Sequence, residues 1–187
     1  QTADAMTQGY GYIKLHEITE AAVAAARRTT GDGMPIMVDT NCPWTPEEAM
    51  EMAAKLKAYD LFWLEEPIFP PEDFAALAAL GAAAGVAIAA GENACTAHEF
   101  AKMFAAGAVT YAQPSVTKVG GISEFLKVVE LARAARVAVM PHSPYFGPGF
   151  LATLHLAAAV TDGGLVERFY VDAEAALYGD FVDPIGD

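Results

Sequence analysis

Residues 35–41, PIMVDTN, run apolar and stop at Asp39. Residues 61–67, LFWLEEP, do the same and reach Glu65, and residues 86–93, VAIAAGEN, reach Glu92. The three carboxylates are 26 and 27 residues apart, about one strand, loop and helix each. Any one of them alone would pass for a helix cap or a surface charge. Three at equivalent strand ends instead suggest oxygen ligands gathered on one rim for a hard divalent cation.

The same rhythm runs along the rest of the chain. YGYIKLHE (10–17) reads as a strand, with helix from Ile18 to Thr30. Thr45-Pro46-Glu47-Glu48 opens a helix to about Ala58, with Thr45 as cap, Pro46 at the first position and Glu48 closing a capping box. A helix is expected from Asp73 to Ala84, and Thr96 with Glu99 repeats the capping spacing. VTYAQPS (109–115) reads as strand, Ile122–Ala135 as helix, VAVMPHS (137–143) as strand, Phe150–Val160 as helix and GLVERFY (164–170) as a last strand.

These strands are short and almost wholly apolar, as in a parallel sheet covered by helices. Spacings of 25 from Lys14 to Asp39, 27 from Ser115 to His142 and 25 from His142 to Glu167 keep the period. Polar groups at strand C-termini favour an α/β fold of the TIM type, a (β/α) barrel. Seven strands are expected where a closed barrel has eight, and a whole barrel takes about 250 residues. Residues 1–187 therefore read as most of one barrel, with the first strand upstream of Gln1. The opening residues, QTADAMTQGY, read as the tail of a helix and not as a signal peptide.

Composition narrows the function. A net charge of −13 argues against a phosphate-backbone binder, and no basic stripe supports nucleic-acid recognition. No apolar run approaches the roughly 20 residues that cross a bilayer. The two cysteines, Cys42 and Cys95, give no disulfide framework. These features fit a soluble, cytoplasmic protein that acts on a small molecule.

An all-oxygen ligand set prefers Mg²⁺, with Mn²⁺ as its substitute, over zinc or copper. Glu66 follows Glu65 and points elsewhere by strand alternation, toward a salt bridge or a supporting contact. Asn41 and Asn93 would orient the ligands or bind substrate. His98 and His155 fall in helices and read as structural or surface residues. His142 ends a strand before a Ser/Pro/Gly loop, a suitable place for proton transfer. Lys14 and His16, two apart, share a strand face. A lysine beside a cation would have a lowered pKa and would serve as a base or as a clamp for a carboxylate. Together these groups suit a carboxylate substrate on a divalent ion, with a base removing the neighbouring proton.

MVDTN, WLEEP, AGEN, QPSVTKVGG (113–121), PHSPYF (141–146) and LVERF (165–169) together resemble the enolase superfamily, in its mandelate racemase and muconate-lactonizing branch. The resemblance covers essentially the whole chain. It implies a modified (β/α)7β barrel, incomplete here, and a separate N-terminal capping domain absent from this sequence. It implies metal ligands at Asp39, Glu65 and Glu92, a catalytic His142, and Glu167 as the acid that hydrogen-bonds the substrate carboxylate. Ser115 and Lys118 fall in the matching sixth-strand segment and loop, as candidates for positioning or substrate binding. A homo-oligomer is also implied.

Two departures from the family pattern matter. A Lys-x-Lys strand reads Lys14-Leu15-His16 here, so histidine takes the usual base position. An aspartate that pairs with the histidine is replaced by Ser115, which would orient His142 without raising its basicity as a carboxylate would. The expectation is dehydration of a sugar acid to a 2-keto-3-deoxy acid, with His16 or Lys14 as base and His142 as acid. Racemisation or epimerisation, and cycloisomerisation, use the same enediolate and stay open. So does an inactive acid-sugar-binding protein.

Overall fold

The computed structural model describes residues 1–144, 146–161 and 164–168. The chain divides into two compact units. One holds Gln1–Ala90 with Ala105–Thr110, and the other holds Gly91–Phe104 with the residues from Tyr111 onward.

The first unit begins with helix α1 (Thr2–Thr7). It continues through β1 (Ile13–His16), α2 (Glu20–Thr30), β2 (Ile36–Asp39), α3 (Pro46–Leu56), β3 (Trp63–Glu65), α4 (Phe74–Ala84) and β4 (Ile88–Ala90). Caps decide where the helices start. The Thr19 side chain accepts from Ala22 N, so α2 begins two residues later than expected. Asp73 accepts from Ala76 N and stands as the cap of α4, not as its first residue. The capping box at α3 is present in full. Each cap satisfies an amide that the first helical turn leaves open.

β1 pairs with β2, β2 with β3 and β3 with β4, all parallel. Both faces are covered, so Ile36, Val38 and Leu64 are fully buried and the strands lack alternation. The register sets His16 opposite Asp39, and Asp39 opposite Glu65. Three groups separated by tens of residues therefore stand abreast at the C-terminal ends of three adjacent strands.

The second unit holds α5 (Ala97–Ala105), β5 (Tyr111–Ala112), α6 (Ile122–Ala135), β6 (Ala138–Val139) and α7 (Pro148–Val160). β5 and β6 pair parallel. Its core is Phe100, Met103, Phe125, Val128, Val129 and Phe150. Thr96 and Glu99 form the expected reciprocal cap of α5. Gly91 has φ 136°, and a Cβ there would lie 2.7 Å from the Phe100 ring and 3.1 Å from Gln113 N. Only glycine fits where the chain turns into Glu92.

Every described strand pairing is parallel and each of the six strands leads into a helix, so the fold class is a modified, incomplete (β/α) barrel. The expected seventh strand, 164–170, is corrected: residues 164–168 form no strand, and 169–170 lie outside the described residues. Leu165 N donates to the Met140 sulfur there. Among the described residues, no helix is long and apolar enough to cross a membrane. Neither cysteine is in a disulfide.

Arg27 ties the α2 end of the first unit together. Its guanidinium donates to the carbonyls of Tyr59, Gly31, Met34 and Asp60 at 2.6–3.0 Å. Charged-donor bonds of this kind contribute about 1.5–3 kcal/mol. Arg27→Ala is expected to lower the stability of the intact protein by about 2–3 kcal/mol in urea unfolding. A loss below about 0.5 kcal/mol would mean that water serves those carbonyls equally well.

Candidate active site

Two clusters of charged side chains form, one in each unit. In the first, Asp39 and Glu65 are the last residues of neighbouring strands and both are buried. Lys14, on β1, reaches them. Its Nζ lies 3.0 Å from Asp39 Oδ2 and 2.6 Å from Glu65 Oε1. Carboxylates this buried carry a desolvation cost of several kcal/mol each unless a positive charge faces them. One ammonium faces both.

The other oxygen of each carboxylate is also engaged. Asn41 N donates to Asp39 Oδ1 at 3.1 Å. Asn41 and Cys42 both take positive φ, 56° and 55°, and this left-handed turn brings the Asn41 amide back toward Asp39. Asn41 thus orients Asp39 through its backbone, while the residue itself is exposed. Trp63 Nε1 donates to Glu65 Oε2 at 2.8 Å. The Thr40 hydroxyl lies 3.0 Å from the carbonyls of both Glu65 and Glu66, pinning the end of β3 to that of β2. Glu66 is buried and accepts from Cys42 Sγ at 3.4 Å. His16 is exposed beside this cluster, level with Asp39.

In the second unit Glu92 is the centre. His142 Nδ1 lies 2.9 Å from Glu92 Oε2 and 3.7 Å from Glu167 Oε2. Lys118 Nζ, partly exposed, lies 3.8 Å from Glu92 Oε1. Glu167 is tied to the strand exit by Ser143, whose N–H donates to Glu167 Oε2 and whose hydroxyl donates to Glu167 O. Ser115 Oγ bonds Thr117 Oγ1 and accepts from Lys118 N, closing the turn that carries Lys118. Asn93 is exposed. His98 and His155 sit exposed on helices α5 and α7, as surface residues.

Trp63 and Thr40 were not among the residues the sequence singled out. Trp63 had a signal, since it stands two residues before Glu65 and so shares its strand face. Its apolar character made it read as core. Thr40 had none, because its partners are backbone carbonyls of another strand.

Within the first unit Lys14 faces Asp39 and Glu65 with His16 exposed nearby, and within the second His142 and Lys118 approach Glu92. Known proteins with similar sequences give this arrangement a context. A cycloisomerase from Streptomyces coelicolor, acting on 3,6-anhydro-alpha-L-galactonate, is 36% identical over 159 residues, covering 75% of this chain and 44% of that protein. The L-talarate/galactarate dehydratase of Salmonella typhimurium is 36% identical over 147 residues, covering 79% of this chain and 35% of that protein. The crystal structure of L-talarate dehydratase from Polaromonas sp. JS666, complexed with Mg and L-glucarate, superposes with a TM-score of 0.78 at 30% identity, over 90% of this chain and 47% of that one. The chain spans less than half the length of each of these relatives. The family description "Enolase C-terminal domain-like" matches residues 1–185. With that match and those relatives, the chain belongs to the enolase C-terminal domain-like family, in its mandelate racemase and muconate-lactonizing branch.

Proposed function

We propose that this chain carries the metal- and proton-handling groups of an enzyme that removes the proton α to a carboxylate, and that its reaction is dehydration of a sugar acid to a 2-keto-3-deoxy acid. The observation that carries this reading is the Lys14 ammonium between Asp39 Oδ2 and Glu65 Oε1. Two buried carboxylates already address one centre of positive charge. The relatives named as sugar-acid dehydratases, one of them complexed with Mg, support it.

The donors fit a hard divalent ion. Asp39, Glu65 and Glu92 offer carboxylate oxygens, the ligands of Mg²⁺ or Mn²⁺. Those three residues would hold the ion. Bound there, Mg²⁺ would supply the positive field that makes a proton next to a carboxylate removable.

The proton steps belong to the side chains. His16, exposed at the end of β1, is better placed to accept the α-proton than Lys14, which two carboxylates hold. His142 returns a proton to the departing β-hydroxyl, which leaves as water. The resulting enol then becomes the 2-keto acid. The acidic oxygens of Glu92 and Glu167 both face His142 Nδ1. That leaves Nε2 as the ring nitrogen for proton exchange with substrate. Lys118, Asn41 and Asn93 are exposed polar residues that would meet a polyhydroxy anion.

Cycloisomerisation is the second reading, favoured by the 36% identity to the Streptomyces coelicolor enzyme. It begins with the same proton loss but expels an internal oxygen, so its product keeps the mass of its substrate. Screening the intact protein with Mg²⁺ against acid sugars and their anhydro and lactone forms separates the two. Loss of water with a 2-keto signal is expected. An isomer of unchanged mass would establish the second reading. No exchange of any α-proton with deuterium across the panel would leave binding without catalysis.

Two substitutions test the roles. Glu92→Gln is expected to weaken Mg²⁺ binding by roughly tenfold or more in calorimetry, since it removes a charged oxygen ligand. Unchanged affinity would remove Glu92 from the ligand set. His142→Asn is expected to spare α-proton exchange and block product formation. Loss of both together would make His142 part of the abstraction step.

A further inference from the structure

The two oxygens of Glu65 are not equivalent. Oε2 accepts the Trp63 indole N–H at 2.8 Å, and Oε1 faces the Lys14 ammonium at 2.6 Å. The indole is a donor only, and Glu65 Oε2 is its acceptor. Trp63 is buried, as is Glu65. Its ring also packs against Phe62, with centroids 5.3 Å apart, and Phe62 meets Tyr12 edge-on at 5.7 Å. The indole is therefore held by its neighbours and cannot swing away cheaply. Strand alternation sets it on the same face as Glu65.

We infer that Trp63 is a positioning residue that makes Glu65 a one-oxygen ligand, and thereby sets the choice of Mg²⁺ over Ca²⁺. This rests on the metal reading proposed above. A carboxylate that grips an ion with both oxygens must turn both toward it, and a hydrogen bond held at one oxygen resists that rotation. The neutral indole N–H draws on Oε2, while Oε1 is the oxygen turned to positive charge, at present the Lys14 ammonium. Mg²⁺ accepts this, because it takes six single oxygens at about 2.0–2.1 Å in near-octahedral order. Ca²⁺ takes six to eight oxygens at about 2.3–2.6 Å and commonly draws in two-oxygen carboxylates. Fixing Glu65 as a one-oxygen donor removes an adjustment that the larger ion uses. A partner behind a ligand acts in this way on orientation and basicity together.

Trp63→Phe tests this, because it keeps an aromatic ring in the core and deletes the N–H. Mg²⁺ and Ca²⁺ affinities of the chelator-stripped intact protein are measured by calorimetry, in wild type and variant. The wild type should prefer Mg²⁺. In the variant, Mg²⁺ affinity should fall about tenfold, within the range seen when such partners are removed. Ca²⁺ affinity should hold or rise, so the Mg²⁺/Ca²⁺ ratio falls by about the same factor. Equal losses for both ions would mean a purely structural role and overturn the inference, as would no change in either. A wild type that binds neither ion would overturn the metal reading, and the inference with it.

A second measurement covers a variant that does not fold. The protein has two tryptophans, so the Trp63 indole ¹⁵N–H signal is assigned against a Trp44→Phe variant. That signal should shift as Mg²⁺ is added and stay slow to exchange with solvent. A Trp63 signal indifferent to Mg²⁺ would overturn the inference.

Discussion

Buried negative charge is what the first unit is organised around. Asp39 and Glu65 lie side by side on adjacent strands, with almost no access to water. Such a pair repels itself and carries the desolvation cost of each ion. It persists because every carboxylate oxygen meets a donor: the Lys14 ammonium twice, the Asn41 amide once and the Trp63 indole once. A divalent ion would answer the same demand more strongly. The chemistry proposed for the chain and the stability of its strand ends are therefore one electrostatic problem.

The scaffold serves that problem through register. Parallel pairing sets His16, Asp39 and Glu65 abreast, and Thr40 locks the two strand ends with its hydroxyl. A slip of one residue would turn each of these side chains to the opposite face. The apolar strand interiors and the helix caps hold the register from below, where little chemistry happens. Positive φ at Asn41, Cys42 and Glu66 falls just past these strand ends. Left-handed backbone at non-glycine positions costs energy, and here it aims an amide at the buried Asp39 carboxylate.

In the second unit the same logic appears with different partners. Glu92 is offset by His142 and Lys118, and Glu167 stands behind the histidine. The serine at position 115, where relatives of this branch were expected to carry an aspartate, closes its own turn. Carboxylate partners for His142 come from Glu92 and Glu167, on other segments of the chain. The departure from the family pattern thus leaves the histidine beside acidic groups.

Much was legible in the residues alone. Apolar runs ending in acids, at a regular spacing, carry the β/α repeat because a buried parallel strand must be apolar throughout. Helix starts were legible to within two residues, since caps are local chemistry: Thr45 with Glu48 and Thr96 with Glu99 act within one turn. Residues 164–168, expected as strand, form none, and Leu165 N donates to the Met140 sulfur, a partner 25 positions away that local pattern does not show. The different surroundings of His16 and Lys14 were equally closed to the sequence. Both lie on one strand face, and only folding brings Asp39 and Glu65 to the lysine and leaves the histidine exposed. Trp63 read as core and is core, yet its N–H acquires a role once strand geometry puts Glu65 within 2.8 Å. Local pattern determines which residues end the strands, because periodicity and capping are short-range. Tertiary structure decides which oxygen of each carboxylate is taken and by what, because hydrogen bonds and ion pairs are set by distances between segments far apart in the chain.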